Sequence, residues 1–240
     1  MHKRLDLVLV EKEMVKSRSQ AESYIKLGKV LVNGNPVTRA GTLIKLTDDI
    51  KLLQTEQYVS RAGLKLESVA KMLDLDFKNK IVLDVGSSTG GFTDYALRHG
   101  ASKVIAVELG TNQLHPSLHN NPKIELHEQT DIRSFKTEQK IDLVVADVSF
   151  ISLREILPSV AKLIGSHAEI VAMVKPQFEA RTSNISHKGV IKNEKLRRDI
   201  LKDFEIWAKS YFITKNKADS SVSGTKGNRE RFYLLRKVSR

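Results

Sequence analysis

Ten residues, Asp84-Val85-Gly86-Ser87-Ser88-Thr89-Gly90-Gly91-Phe92-Thr93, join an apolar run to an amphipathic one. A strand that ends in an acid and turns through glycines into a helix lets a ligand approach the backbone closely. No Gly-Lys-Ser/Thr follows the glycines, so this is not a phosphate-cradling P-loop, and the spacing is not the dinucleotide Gly-x-Gly-x-x-Gly. With Glu108 at the end of the next apolar run, placed to bond ribose hydroxyls, the order suits S-adenosyl-L-methionine. Gly86, Ser87, Gly90, Gly91 and Phe92 are the candidate contacts around the methionine end, with Asp84 beside them. The competing reading is a strand-to-helix turn whose glycines are structural.

Four more residues could act together: Lys65, Asp147, Lys175 and Glu230. A ribose hydroxyl is a poor nucleophile near neutral pH. A lysine whose pKa is lowered by a neighbouring cation and partial burial can accept its proton. Carboxylates can hold that lysine and orient the hydroxyl. A sulfonium methyl group is already activated, so this chemistry requires no metal. Singly, each residue has a plainer reading: a solvated lysine, a helix-capping Asp147, an exposed Glu230.

The elements that must position these residues follow from hydrophobic period. Apolar runs predict buried strands over 80–85, 103–108, 142–147, 169–174 and 231–236. Between them, helical spacing predicts helices over 61–73, 91–99, 153–163 and 193–209. The alternation means an α/β domain with a mostly parallel sheet. Ligands of such sheets bind beyond the carboxyl ends of the strands. Asp84, Glu108, Asp147 and Lys175 all fall at those ends. Lys65 reaches the same edge if its helix runs antiparallel into the first strand, and Glu230 does so if the last strand is antiparallel.

The first fifty residues form a separate small unit. Leu5, Val8, Leu9 and Val15 mark a short amphipathic helix, and Ser17 caps a second one carrying Ala21, Tyr24, Ile25 and Leu27. Gly28 fits the stop position, and Asn33-Gly34 predicts a hairpin turn. Further strand is expected at 43–46 and 50–53. This divides the chain into residues 1–53, a linker at 54–60 with few contacts and some hinge freedom, and 61–240.

Composition narrows the classes. The 240 residues include 40 Lys+Arg against 28 Asp+Glu, a formal net charge of +12, and no cysteine. Disulfide scaffolds, thiolate zinc sites and catalytic thiols are excluded. Residues 175–240 hold 17 basic and 7 acidic side chains, an excess that fits a polyanion partner. The charged start leads into no apolar segment, and no window could span a bilayer, so a cytoplasmic protein is expected.

Several motifs carry a family resemblance over nearly the whole chain. Arg4-Leu5-Asp6, Ser17-Arg18-Ser19-Gln20-Ala21 and Gly28-Lys29-Val30-Leu31-Val32-Asn33-Gly34 resemble the ribosomal-protein "S-four" RNA-binding module. Tyr58-Val59-Ser60-Arg61-Ala62-Gly63-Leu64-Lys65-Leu66 resembles the junction segment of the TlyA-type proteins. Asp147-Val148-Ser149-Phe150-Ile151-Ser152-Leu153, Val174-Lys175-Pro176-Gln177-Phe178-Glu179 and Gly227-Asn228-Arg229-Glu230 are similar to that family's signatures. The family is named for haemolysis and methylates ribose 2′-hydroxyls of rRNA on an FtsJ-like core. The resemblance implies a Rossmann-like methyltransferase sheet behind a small α+β RNA-binding domain. It implies a Lys-Asp-Lys-Glu tetrad at Lys65, Asp147, Lys175 and Glu230, with Lys175 the base, Asp147 and Glu230 its supports, and Lys65 a positioning group. It also implies a cytidine target in rRNA or ribosomal subunits.

In such folds the residue matching Asp131 faces adenine; a helix N-cap is the alternative. Arg4, Arg18, Lys26 and Lys29 are the RNA-contact candidates on the small unit, against a merely solvated basic face. Arg181, where relatives commonly have Gly, and Arg231, between Glu230 and Phe232, depart from the pattern and put the local loop geometry in question. Two other functions are carried along: a non-catalytic RNA-binding or ribosome-assembly factor, and a membrane-active haemolysin.

Overall fold

A computed structural model describes residues 2–15, 17–53, 58–180, 190–191, 193–224 and 227–238, apart from the Ser19 side chain. Arg181 and linker residues 54–57 lie outside the described residues.

The N-terminal unit runs β1 (His2–Arg4), α1 (Leu5–Glu11), α2 (Arg18–Lys26), β2 (Val30–Val32), β3 (Asn35–Pro36), β4 (Leu43–Lys45) and β5 (Ile50–Leu52). Helix α2 starts where expected, because Ser17 Oγ accepts from the Gln20 amide at 3.2 Å. Asn33 and Gly34 both have positive φ, 51° and 79°, the backbone of a tight hairpin between β2 and β3. Strand β1 pairs antiparallel with β4, and β2 sits between β3 and β5.

The larger part continues with α3 (Arg61–Ala70), β6 (Ile81–Val85), α4 (Gly91–Arg98), β7 (Lys103–Val107), β8 (Ile124–His127), β9 (Leu143–Ala146), α5 (Leu153–Leu163), β10 (Glu169–Val174), α6 (Pro176–Glu179), α7 (Glu194–Ala208), β11 (Phe212–Asp219) and β12 (Arg231–Lys237). Seven strands form one sheet in the order β11-β12-β10-β9-β6-β7-β8. Strands β8, β7, β6, β9 and β10 are parallel, while β12 inserts antiparallel between β10 and β11.

Period-two alternation divides the core. Val82, Val104, Val145, Val171 and Phe232 face a cluster with Leu64, Leu66, Phe92 and Tyr95 from α3 and α4. Leu83, Ile105, Val144, Ile170 and Tyr233 face a cluster with Ile156, Leu157, Leu201 and Phe204 from α5 and α7. The result is a three-layer αβα sandwich.

The expected hinge is not what the packing shows. The apolar cluster on the α3/α4 face continues through Tyr58 into Leu5, Leu9, Tyr24, Ile25 and Val30 of the N-terminal unit. Lys29 is ion-paired with Glu67 of α3, and Lys26 Nζ donates to Ser223 Oγ at 3.2 Å. Residues close in space but far in sequence supply these contacts, so linker composition could not reveal them.

Candidate active site

The glycine-rich loop leaves β6 through Gly86, at φ 78°. A Cβ there would lie 2.8 Å from the Asp147 carbonyl oxygen, so only glycine lets the β6 and β9 strand ends approach this closely. Ser88 also has positive φ, and its amide donates to Glu108 Oε2 at 2.9 Å; Glu108 Oε1 accepts from the Gly110 amide at 2.7 Å. Glu108 is thus fixed by two backbone donors on the wall of a cavity of about 440 Å³. Gly86, Asp131, Ile132, Asp147 and Ile156 share that wall. Its size and mixed lining fit a nucleoside.

A cavity of about 130 Å³ adjoins it, lined by Asp84, Gly86, Ser87, Phe92, Asp147 and Lys175. Asp84 is buried; its Oδ2 accepts from Thr93 Oγ1 at 2.7 Å, while Oδ1 has no hydrogen-bond partner among the described residues. Burial raises its carboxyl pKa to about 7; the Thr93 hydroxyl opposes this and the charge of Asp147 adds to it. A cationic ligand group would satisfy that orphaned oxygen. Gly90 and Gly91 cap and start α4, and Phe92 packs in the core 6.1 Å from Phe232.

The four residues expected to act together do converge. Lys175 Nζ lies 2.6 Å from Asp147 Oδ1 and donates to Ser149 Oγ at 2.7 Å. Lys65 Nζ lies 3.0 Å from Glu230 Oε1. Lys65, Lys175 and Glu230 line a third cavity, of about 330 Å³, with Arg61, Ser149 and Phe150. Each placement follows from topology: Asp147 and Lys175 succeed β9 and β10, Glu230 precedes antiparallel β12, and Lys65 is one turn into α3. Ser149 and Lys175 border both this cavity and the smaller one.

Supporting residues went unnoticed in the sequence. Glu179 is buried at the end of α6, where Oε2 accepts from Ser152 Oγ at 2.6 Å and Oε1 from the Leu153 amide at 2.8 Å. It staples the loop carrying Asp147 and Ser149 to the segment carrying Lys175. Burial raises its pKa against these bonds. Asp219 receives Arg197 at 2.7 Å and Arg231 at 2.6 Å, which hold its carboxyl down at about 2 against burial. Arg231 therefore anchors the start of β12 without displacing Glu230 from Lys65. An acid four residues after Lys175 was visible as spacing, but the partners of Glu179 were not.

The remaining candidates scatter. Asp131 borders the nucleoside-sized cavity, yet its carboxylate accepts from the Arg133 side chain at 2.6 Å and from the Arg133 amide at 2.9 Å. It closes a turn and does not start a helix. Arg4 and Arg18 both grip the buried carboxylate of Asp6, at 2.9 and 2.7 Å. Lys26 and Lys29 reach the catalytic part instead.

A strand-end acid, a glycine turn and two lysine-carboxylate pairs gather over one edge of this sheet. Residues 58–237 match the FtsJ-like methyltransferase family and residues 3–50 match the S4 domain. Such enzymes take their methyl group from S-adenosyl-L-methionine, which the donors described above fit. The chain is 40% identical to the 23S rRNA (cytidine-2′-O)-methyltransferase TlyA of Campylobacter jejuni, covering 93% of this chain and 96% of that one. It is 39% identical to hemolysin A of Brachyspira hyodysenteriae, over 95% and 97%. It is 34% identical to the 16S/23S rRNA (cytidine-2′-O)-methyltransferase TlyA of Mycobacterium tuberculosis, over 97% and 89%. A solved hemolysin-type structure from Streptococcus thermophilus superposes with a TM-score of 0.72 at 34% identity, covering 99% of this chain and 89% of that one. The chain belongs to the TlyA-type branch of the FtsJ-like methyltransferases.

Proposed function

We propose that this protein methylates a ribose 2′-hydroxyl in ribosomal RNA, that the ribose is a cytidine's, and that it works in the cytoplasm on rRNA or ribosomal subunits. The observation that carries this reading is that Lys65, Glu230 and Lys175, the last paired with Asp147, line one cavity next to the nucleoside-sized one. S-adenosyl-L-methionine supplies an electrophilic methyl group whose departure leaves the electron pair on sulfur. Asp84 and the glycine loop would hold its methionine end, and Glu108 its ribose. The Lys175 amine is the group placed to take the proton of the 2′-hydroxyl. Asp147 and Ser149 keep the Lys175 amine in line, while Lys65, aligned by Glu230, stabilises charge on the oxygen. Phe150, 91% exposed at φ 68° and 5.3 Å from Phe178, offers a nucleobase a stacking face at the cavity rim.

The relatives named for haemolysis do not redirect this reading. Among the described residues no helix is long and apolar enough to cross a membrane. The test is transfer of tritiated methyl from S-adenosyl-L-methionine to purified ribosomal subunits and their naked rRNAs. Label at a cytidine 2′-oxygen is expected. No label on any of them, with the methyl donor bound, would overturn the assignment in favour of a non-catalytic RNA-binding factor.

A further inference from the structure

A fourth cavity, of about 190 Å³, lies between the N-terminal unit and the catalytic part, lined by Glu22, Ser23, Lys26, Arg61, Ser223, Gly224 and Gly227. Arg61 and Gly224 also line the cavity of Lys65 and Glu230, so the two spaces meet at the Arg61 guanidinium. That guanidinium donates through one terminal nitrogen to the Ser223 carbonyl at 2.5 Å. Its Nε is buried with no hydrogen-bond partner, and among the described residues no carboxylate lies within ion-pairing distance of it. A half-buried cation with no carboxylate in direct contact gains from an anion that can reach it. Lys26 lines the same cavity, its Nζ 3.2 Å from Ser223 Oγ. Glu230 and Glu22 act on Arg61 electrostatically at longer range, while Glu22 also faces Arg18 at 3.8 Å and Glu230 also holds Lys65.

Two cations lining one cleft, one of them a planar guanidinium, match the oxygens of a phosphodiester. We infer that Arg61, with Lys26, binds the RNA phosphate adjacent to the ribose seated at Lys65 and Lys175. This rests on the proposed RNA substrate. It assigns Arg61 a task distinct from the methyl-donor cavities, neither of which it lines. Binding there would draw the strand across the seam between the two parts and fix which ribose enters.

The test compares the full-length wild type with Arg61→Ala and Arg61→Lys, using a single-stranded RNA oligonucleotide of mixed sequence and fluorescence anisotropy at several salt concentrations. Arg61→Ala should weaken binding about tenfold, the size of a lost charge-assisted hydrogen bond. Its salt dependence should become shallower by about 0.7, one phosphate contact on a single strand. Arg61→Lys should keep the wild-type slope, which a merely structural role would not require. Calorimetry should find the affinity for S-adenosyl-L-methionine unchanged in both variants. Equal affinity and slope for Arg61→Ala would overturn the phosphate site. Loss of S-adenosyl-L-methionine affinity would overturn it in favour of the cofactor carboxylate. A wild type that binds RNA yet labels no ribosomal RNA would defeat the proposed function and leave the salt slope to judge this site.

Discussion

Lys65 and Glu230 stand 165 positions apart in the chain and meet at 3.0 Å, with 12% and 3% of their side chains exposed. The pair ties the first helix of the larger part to the start of the last strand. Glu230→Gln leaves Lys65 as a buried cation without its partner. Breaking a buried pair this way costs about 3–5 kcal/mol. The melting temperature should fall by several degrees, and the double variant Lys65→Met/Glu230→Gln should regain part of it. Additive losses in that cycle would argue that the two charges do not interact.

Replacing Lys175 with alanine should lower kcat by about 10²–10⁴-fold, the range for loss of a positioned base. Calorimetric binding of S-adenosyl-L-methionine should persist. Near-wild-type turnover would remove Lys175 from the role of base.

Asp84 should make S-adenosyl-L-methionine binding depend on pH. Its folded-state carboxyl titrates at about 7, above the ordinary 3.8, because it is buried. Ionising it therefore costs the free protein stability progressively from about pH 4 to about pH 7, with no further loss above. An ammonium group against the orphaned Oδ1 favours the charged form. Binding of S-adenosyl-L-methionine at pH 6 should then release a proton, seen as a heat that varies with buffer ionisation enthalpy. Affinity should rise toward pH 7 and level off. Asp84→Asn should flatten both effects and stabilise the free protein at pH 8.

Phe150 should matter to RNA and not to the methyl donor. Stacking on an aromatic ring contributes about 1–3 kcal/mol per base. Phe150→Ala should therefore raise KM for the ribosomal substrate, or lower kcat/KM, by about 5- to 150-fold while leaving cofactor affinity alone. Unchanged kcat/KM would take the exposed ring out of substrate recognition.

Gly224 provides a steric probe. A Cβ at this position would lie 2.6 Å from Glu230 Oε1, so Gly224→Ala must push the carboxylate or the loop aside. Methyl transfer should fall at least tenfold while S-adenosyl-L-methionine still binds. A fully active variant would show that Glu230 need not sit where it does.

The strand ends were readable because buried parallel strands are continuous apolar runs, and a charged residue such as Asp147 after β9 or Lys175 after β10 breaks them. Ser17 and Asn33-Gly34 were readable because caps and tight turns are local chemistry. Strand β11 escaped because Lys215, Asn216 and Lys217 lie on an exposed edge with a bulge after Thr214, which removes the apolar signal. Strand β8 is short, half-buried and carries Glu125. Helix α6 hid behind Pro176: Lys175 is extended, as the proline demands, and the helix begins at the proline itself. The convergence of Lys65, Asp147, Lys175 and Glu230 on one edge was legible from topology and resemblance together. The grip of Arg4 and Arg18 on Asp6 did not emerge, because a basic side chain looks the same in sequence whether it faces RNA or a buried acid.

The unbroken apolar cluster from Leu5 and Tyr24 through Tyr58 to Leu64 and Phe92 makes this N-terminal unit a poor cassette for exchange. A chain trimmed to its catalytic part would bare the oily side of its own first two helices to water and should aggregate, so the RNA-holding piece doubles as a cover for the enzyme. Selection on either half is then selection on both, and grafting a foreign RNA-binding unit onto this enzyme would require redesigning the seam before any new specificity could be tested.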